Sequence, residues 1–194
     1  MTEREKMEQG MLYLAGDPQL LQERLACQDL CWEYNHLRPS QLEQRREILK
    51  KLLGKTGERF HIEQDFHCDY GYHITLGEDF YANYHCVMLD CAPITFGDRV
   101  LVGPNCGFYT GGHPMNLEQR AQELEYAHPI TVGDDVWFGA QVAVLPGVTI
   151  GSDVVIGAGS VVTHDIPSGV IAAGNPCRVL REITEEDRQK YKIR

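Results

Sequence analysis

The sequence has no run of about 18 apolar residues, the length a helix needs to span a bilayer. Its first residues, MTEREKMEQG, are charged where a secretory leader would be apolar. Both absences predict a cytoplasmic protein without a membrane partner. Cationic side chains are scarce: 18 Lys and Arg stand against 28 Asp and Glu, a formal net charge of -10. That sign repels phosphates and argues against nucleic acid as a partner, so an anionic ligand needs a local group of basic residues. The seven cysteines, scattered from Cys27 to Cys177, are odd in number and contain no CxxC pair. They fit reduced, packed thiols in a cytosol better than a disulfide framework. The 194 residues suffice for one domain that buries a core without covalent staples.

Two kinds of sequence follow one another. Residues 1–56 read as a helical segment, from Thr2 to Leu14, from Pro18 to Tyr34 after a break at Asp17, and through PSQLEQRREILKKLLG. In that last stretch Ser40 and Glu43 have capping-box spacing, Leu42, Leu49, Leu52 and Leu53 recur at helical intervals, and Gly54 ends the pattern. Its apolar faces need something to cover, which makes the segment a cap rather than an independent domain.

From residue 57 to 183 a six-residue period replaces the helical one. Val132, Phe138, Val144, Ile150, Ile156 and Val162 follow one another at intervals of six, most with a small residue next in the chain. Val136, Val142, Val148, Val154, Ser160 and Ile166 keep the same step four positions later. Upstream, Tyr70, Leu76, Ala82 and Met88 share the register, and after a two-residue slip so do Phe96 and Val102. A short fixed repeat is an architecture, and hexads predict a mainly β fold: a parallel β-helix, one side of a triangular prism per hexad, about 18 residues per turn. The first apolar position points inward and the small residue after it allows a tight corner. Residues 114–129 lack the pattern and read as a projecting loop. Residues 174–183, GNPCRVLREI, leave the repeat as a C-terminal cap before the polar tail 184–194.

The interruption begins at FYTGGHPMN, residues 108–116. Gly111 and Gly112 allow a substrate to approach the backbone, Pro114 stiffens the exit, and a histidine between them has the pKa suited to a general base. A solvated loop histidine satisfies the same pattern. His61, His67, His73 and His85 recur at multiples of six, as zinc ligands of a γ-carbonic-anhydrase-like β-helix could. Residues six apart lie on different sides of a prism, however, while His67 and His85, 18 apart, stack on one side.

Six stretches together resemble the hexapeptide-repeat sugar O-acetyltransferases, the family of the maltose, galactoside and nodulation acetyltransferases. They are EKMEQGMLY, RLACQDLCWEYN, CDYGYHITLGEDFYANYHCVMLD, GHPMN, PITVGDDVWFGAQVAVLPGVTIGSDVVIGAGSVVT and AAGNPCRVLREI. The resemblance covers nearly the whole chain. It implies a left-handed parallel β-helix with an N-terminal helical segment on the acceptor side, a homotrimer with active sites between subunits, acetyl-CoA as co-substrate, and no metal.

Residue by residue, the resemblance makes His113 the general base and puts Asn83, Asp69, Arg24 and Asp90 at the acceptor. For the donor it implies Trp137 near the acetyl group, Ala140 and Ala158 along the pantetheine arm, and Thr163, His164, Arg178 and Arg181 toward the nucleotide. Cys91 occupies the position of a second aspartate in the galactoside enzymes, which favours a sugar acceptor of the maltose or glucose type. His164 replaces the family's usual lysine. A galactoside, a xenobiotic or serine as acceptor, or a catalytically silent trimeric scaffold, are the competing readings.

Overall fold

A computed structural model describes residues 1–190. The expected tail therefore lies partly outside the described residues. Short parallel strands wind into a three-faced prism. The first face holds Phe60–Ile62, Phe80–Ala82, Leu101–Val102, Val136–Phe138, Val154–Ile156 and Val170–Gly174. On the second lie His67–Cys68, Val87–Leu89, Gly107–Tyr109, Ala143–Val144 and Val161–Val162. The third is made of Ile74–Thr75, Ile94–Phe96, Ile130–Val132 and Thr149–Ile150. Alternate residues enter the interior, as a pleated strand requires. Phe80, Phe96, Phe108 and Phe138 stack there with successive ring centroids 4.9, 4.9 and 5.2 Å apart.

The period is not uniform. C-terminal coils pair Val136 with Val154, an 18-residue turn, whereas N-terminal coils pair Ile62 with Ala82 and Ala82 with Val102, a 20-residue turn. The extra residues fall at one place, between the second and third faces, at residues 69–73 and 89–93, directly beneath the long interruption. Tyr70 accordingly leaves the prism register and packs in a separate cluster with Met7, Tyr13, Leu20, Cys91, Ala92 and Ala127. The expected stack of His67 with His85 fails for the same reason: His67 pairs with Val87. Among the described residues the histidines converge on no metal-binding group.

The glycine that follows an inward residue does not make the corner. Gly97, Gly133 and Gly139 avoid the left-handed region, and a Cβ on Gly97 would stand 2.2 Å from Asp134 Oδ1 and one on Gly139 2.6 Å from Ala158 N. These glycines are required by the closeness of the next coil. The left-handed corner residues are mostly short and polar instead, in two columns: Asp65, His85, Asn105 and Gln141, and Asp79, Arg99, Asp135 and Asp153.

The N-terminal helices close the open end. Helix α1 (Glu3–Glu8) starts with a true capping box between Thr2 and Glu5 and stops near Gly10, whose φ is 67°. The helix expected to reach Leu14 thus gives way to a strand, Tyr13–Leu14. Helix α2 (Pro18–His36) is capped by Asp17, whose carboxylate accepts from Gln19 and Leu20 N–H. Helix α3 (Leu42–Leu52) begins at Gln41 without a side-chain cap, so the Ser40–Glu43 box does not form. Ser40 lies inside a turn in which Gln41 N–H donates to the Arg38 carbonyl at 2.9 Å and Gln41 Oε1 accepts from Arg38 N–H at 2.8 Å. Cys27, Cys31 and Tyr34 of α2 and Leu49 and Leu52 of α3 join the prism core. Arg45, 4% exposed, locks the cap by donating to Tyr34 Oη at 2.9 Å and to the Ile62 carbonyl at 3.0 Å. At the other end Cys177–Glu182 folds back antiparallel on Val170–Gly174, and helix α5 (Glu185–Gln189) follows. No helix among the described residues is long and apolar enough to cross a membrane.

Candidate active site

The enlarged corner between the second and third faces lacks a regular backbone ladder, and side chains hold it. Asp90 Oδ1 accepts from Asp69 N–H at 3.0 Å and Tyr70 N–H at 2.8 Å, and Oδ2 from His73 N–H at 3.3 Å. One coil on, Thr110 Oγ1 accepts from Ala92 N–H at 2.9 Å and donates to the Leu89 carbonyl at 2.7 Å. Asp90 is 0% exposed. It therefore cannot meet an acceptor, and the role expected for it is corrected: it staples the corner. Burial pushes its carboxyl up to about 6 despite the three amide donors.

The interruption is an arm rather than a free loop. Its helix α4 (Leu117–Ala121) is capped by Asn116, and its strand Leu124–Ala127 lies between Tyr13–Leu14 and Gly111–Gly112, antiparallel to both. Arg120 ties the entry by donating to the carbonyls of Pro114 at 3.0 Å and Met115 at 2.9 Å. This small sheet fixes His113. Its Nδ1 lies 3.2 Å from the Leu124 carbonyl and its Nε2 3.7 Å from Glu125 Oε1. The other Glu125 oxygen accepts from Tyr13 Oη at 2.8 Å. An Nδ1–H donated to Leu124 leaves the Nε2 lone pair free. His113 is 54% exposed and lines an open cavity of about 440 Å³ with Gly16, Arg24, Arg120, Glu123 and Glu125.

Arg24 is aimed into this region by Nη1 donating to Tyr70 Oη at 2.7 Å and Nη2 to the Ala15 carbonyl at 2.7 Å. Asp69 stands behind it, half-buried, accepting from the Cys91 thiol at 3.4 Å, with its carboxyl raised by burial. Tyr13 and Glu125 were not among the expected site residues. Glu125 lies in none of the resembling stretches and Tyr13 only closes EKMEQGMLY, so it is the antiparallel pairing of Tyr13 with Glu125 that brings them to the site.

The remaining expected residues lie elsewhere. Asn83, Ala140 and Ala158 sit at the corner between the first and second faces, where Gly159 N–H donates to the Ala140 carbonyl at 2.8 Å. Trp137 projects from the first face between Leu101 and Val155, 53% exposed, so it is not a packing residue within the chain. Thr163 and His164 are bonded to each other at 2.7 Å, and His164 lines a second cavity with Asp165, Cys177 and Arg178. Arg178 donates to the Cys177 carbonyl at 2.8 Å. Arg181 does not stand free: its Nη1 and Nη2 meet the two carboxylate oxygens of Asp187 in α5 at 2.7 and 2.6 Å. One chain thus unites His113, Arg24 and Glu125, and leaves Asn83, Ala140 and Ala158 on another edge of the prism.

The parallel β-helix with an exposed imidazole on an inserted arm defines a class by its fold, and comparison with known proteins identifies that class as the hexapeptide-repeat acetyltransferases. Residues 6–57 match the maltose acetyltransferase hexapeptide capping motif and residues 129–164 the bacterial transferase hexapeptide of six repeats. The chain is 42% identical over 191 residues to galactoside O-acetyltransferase of Escherichia coli, covering 98% of this chain and 93% of the relative. The crystal structure of a maltose O-acetyltransferase from Clostridium difficile 630 superposes with a TM-score of 0.94 at 47% identity, covering 95% of this chain and 99% of that one. A galactoside acetyltransferase in complex with coenzyme A gives 0.95 at 40% identity, covering 100% and 99%. The chain belongs to the hexapeptide-repeat sugar O-acetyltransferase family.

Proposed function

We propose that the protein transfers the acetyl group of acetyl-CoA directly to a sugar hydroxyl, of the maltose or glucose type, with His113 as general base. The observation that carries this reading is His113 itself, exposed at a cavity, with Nδ1 at the Leu124 carbonyl and Nε2 3.7 Å from Glu125 Oε1. Nε2 takes the hydroxyl proton as the oxygen bonds to the acetyl carbon. The carbon–sulfur bond then breaks, and the imidazolium returns the proton to the leaving thiolate. No acyl-enzyme forms, so no cysteine nucleophile is needed. Glu125 keeps the ring in place and stabilises the imidazolium, while Arg24 and Asp69 receive the sugar's other hydroxyls.

The donor lies along Ala140 and Ala158, with Trp137 near the acetyl end and Thr163, His164 and Arg178 toward the nucleotide phosphates. Asn83, Ala140 and Ala158 occupy a different edge of the prism from His113, so a complete site combines two chains. A homotrimer with a site at each of its subunit boundaries supplies that pairing. Cys91, whose thiol is held by Asp69, offers a galactoside no carboxylate and favours the glucosyl acceptor.

Thiol release from acetyl-CoA, measured with maltose, glucose, β-galactosides, serine and chloramphenicol for wild type and His113→Ala, tests the reading. Turnover with glucosyl sugars is expected, falling about a hundredfold or more in the variant, the scale of a lost general base. Turnover confined to galactosides, serine or the antibiotic removes the acceptor assignment, and no turnover at all restores the silent scaffold.

A further inference from the structure

Three thiols that the reaction leaves unused meet where the helical cap rests on the prism. Cys27 and Cys31, one turn apart on the buried side of α2, face Cys68, which points inward from the second face of the first coil. Cys68 Sγ lies 3.5 Å from Cys27 Sγ and 3.8 Å from Cys31 Sγ, and all three sulfurs fall within 4.8 Å of one another. Their residues are 3%, 2% and 5% exposed. Among the described residues this is the only group of three or more His, Cys, Asp or Glu side chains placed so closely.

Thiols are weak donors and weak acceptors, so a mutual contact of three gains little as hydrogen bonding. The separations have another reading. Sulfurs each about 2.3 Å from one central ion stand about 3.8–4.0 Å apart, whether the arrangement is tetrahedral or trigonal. The two separations to Cys68 lie within about 0.5 Å of that geometry, and the third pair lies within 4.8 Å, so at most about 1 Å of adjustment closes the set. An all-sulfur donor set selects soft cations and rejects Mg²⁺ and Ca²⁺. His67, beside Cys68, is exposed on the outer surface of its face and adds no fourth ligand.

We propose that Cys27, Cys31 and Cys68 form a structural site for one thiophilic d10 cation, Zn²⁺ or Cu⁺, which ties α2 to the first coil of the prism. Loading converts up to three thiols to thiolates and releases their protons to solvent, so occupancy falls with acid. The site is separate from the His113 cavity and does not depend on the acetyl-transfer reading.

The test uses the full chain, stripped by a chelator under reducing conditions and titrated with Co²⁺, then Zn²⁺, and in a separate arm with buffered Cu⁺. Expected are one ion per chain, a sulfur-to-cobalt charge-transfer band of three-thiolate intensity that zinc bleaches, and a raised Tm on loading. Cys31→Ala weakens binding by more than about a hundredfold, beyond the cost of altering a ligand's outer partners. Cys86→Ala, which removes a fully buried thiol outside the cluster, leaves binding unchanged. Absence of a charge-transfer band in the wild type together with no stoichiometric Zn²⁺ or Cu⁺ overturns the proposal, whatever the variants do. Binding that survives Cys31→Ala overturns it equally.

Discussion

Replacing Asp90 with asparagine isolates the electrostatics of the corner on which the site is built. Burial raises the Asp90 carboxyl to about 6, from an ordinary value of 3.8. Between those limits the folded chain holds a proton that the unfolded chain has lost, so the Asp90 contribution to stability is greatest below pH 4 and is lost as pH rises through 6. At about 1.4 kcal/mol per pH unit, the loss across the window is about 3 kcal/mol. An amide cannot ionise, so Asp90→Asn removes that slope. The new NH₂ group also faces the His73 N–H that Asp90 Oδ2 accepts, a donor-to-donor conflict that costs about 1–3 kcal/mol at every pH. The Asp90→Asn variant is therefore less stable than wild type at pH 4, and by pH 7.5 the difference shifts by about 3 kcal/mol in the variant's favour, bringing it level with wild type or above it. Urea unfolding of both proteins at several pH values measures the difference, and the subtraction cancels Asp69 and the other carboxyls to first order. A difference that stays flat refutes the reasoning. One that widens with pH means that the three amide donors outweigh burial.

Phe108→Ala empties the middle of the phenylalanine stack, where the ring is 0% exposed; a loss of about 3–5 kcal/mol in urea unfolding is expected, with a smaller loss indicating that Phe96 and Phe138 collapse into the gap. Asp187→Ala frees the Arg181 guanidinium from its two-point contact. If Arg181 then reaches a coenzyme A phosphate, KM for acetyl-CoA drops by up to about fivefold, the ceiling for an exposed ion pair, with kcat unchanged; an unaltered KM removes Arg181 from the donor site.

The prism was legible in the sequence because its signal repeats: Val132 to Val162 state the same inward position six times, and each sits in the core. The N-terminal coils were read less well, since two extra residues per turn shift the hexad, and Tyr70, which fits the numerical register, packs outside the prism. The glycines were placed correctly and explained wrongly. Sequence shows that Gly97 and Gly139 must be small, but whether a corner angle or a neighbouring coil demands it is a three-dimensional fact. Ser40 illustrates the same limit, because a capping box needs both spacing and a chain that enters the helix at that residue, and the turn at Gln41 denies the second. The long-range pairing of Tyr13 with Glu125 leaves no local trace, even though Tyr13 closes the stretch EKMEQGMLY.

The insertions explain why the cavity lies where it does. A uniform hexad prism offers flat faces and tight corners, with backbone groups engaged by the coils above and below and little room for a pocket. Lengthening one corner in successive coils, at residues 69–73, 89–93 and then 110–129, removes that ladder and leaves amides that Asp90 and Thr110 must satisfy. The widened corner is what the N-terminal segment covers: Met7, Tyr13 and Leu20 pack on Tyr70, Cys91 and Ala127, and Tyr13–Leu14 completes the sheet that holds His113. The cap and the arm that carries His113 are consequently one structure, so shortening the chain before Leu14 should release His113 while the coils remain intact. Another edge keeps its regular corners, with Ala140 and Ala158 in step. One edge of the prism is irregular and the other regular, which on the proposed reading suits the first to an acceptor of varied shape and the second to a constant donor, with a site joining two chains drawing on both.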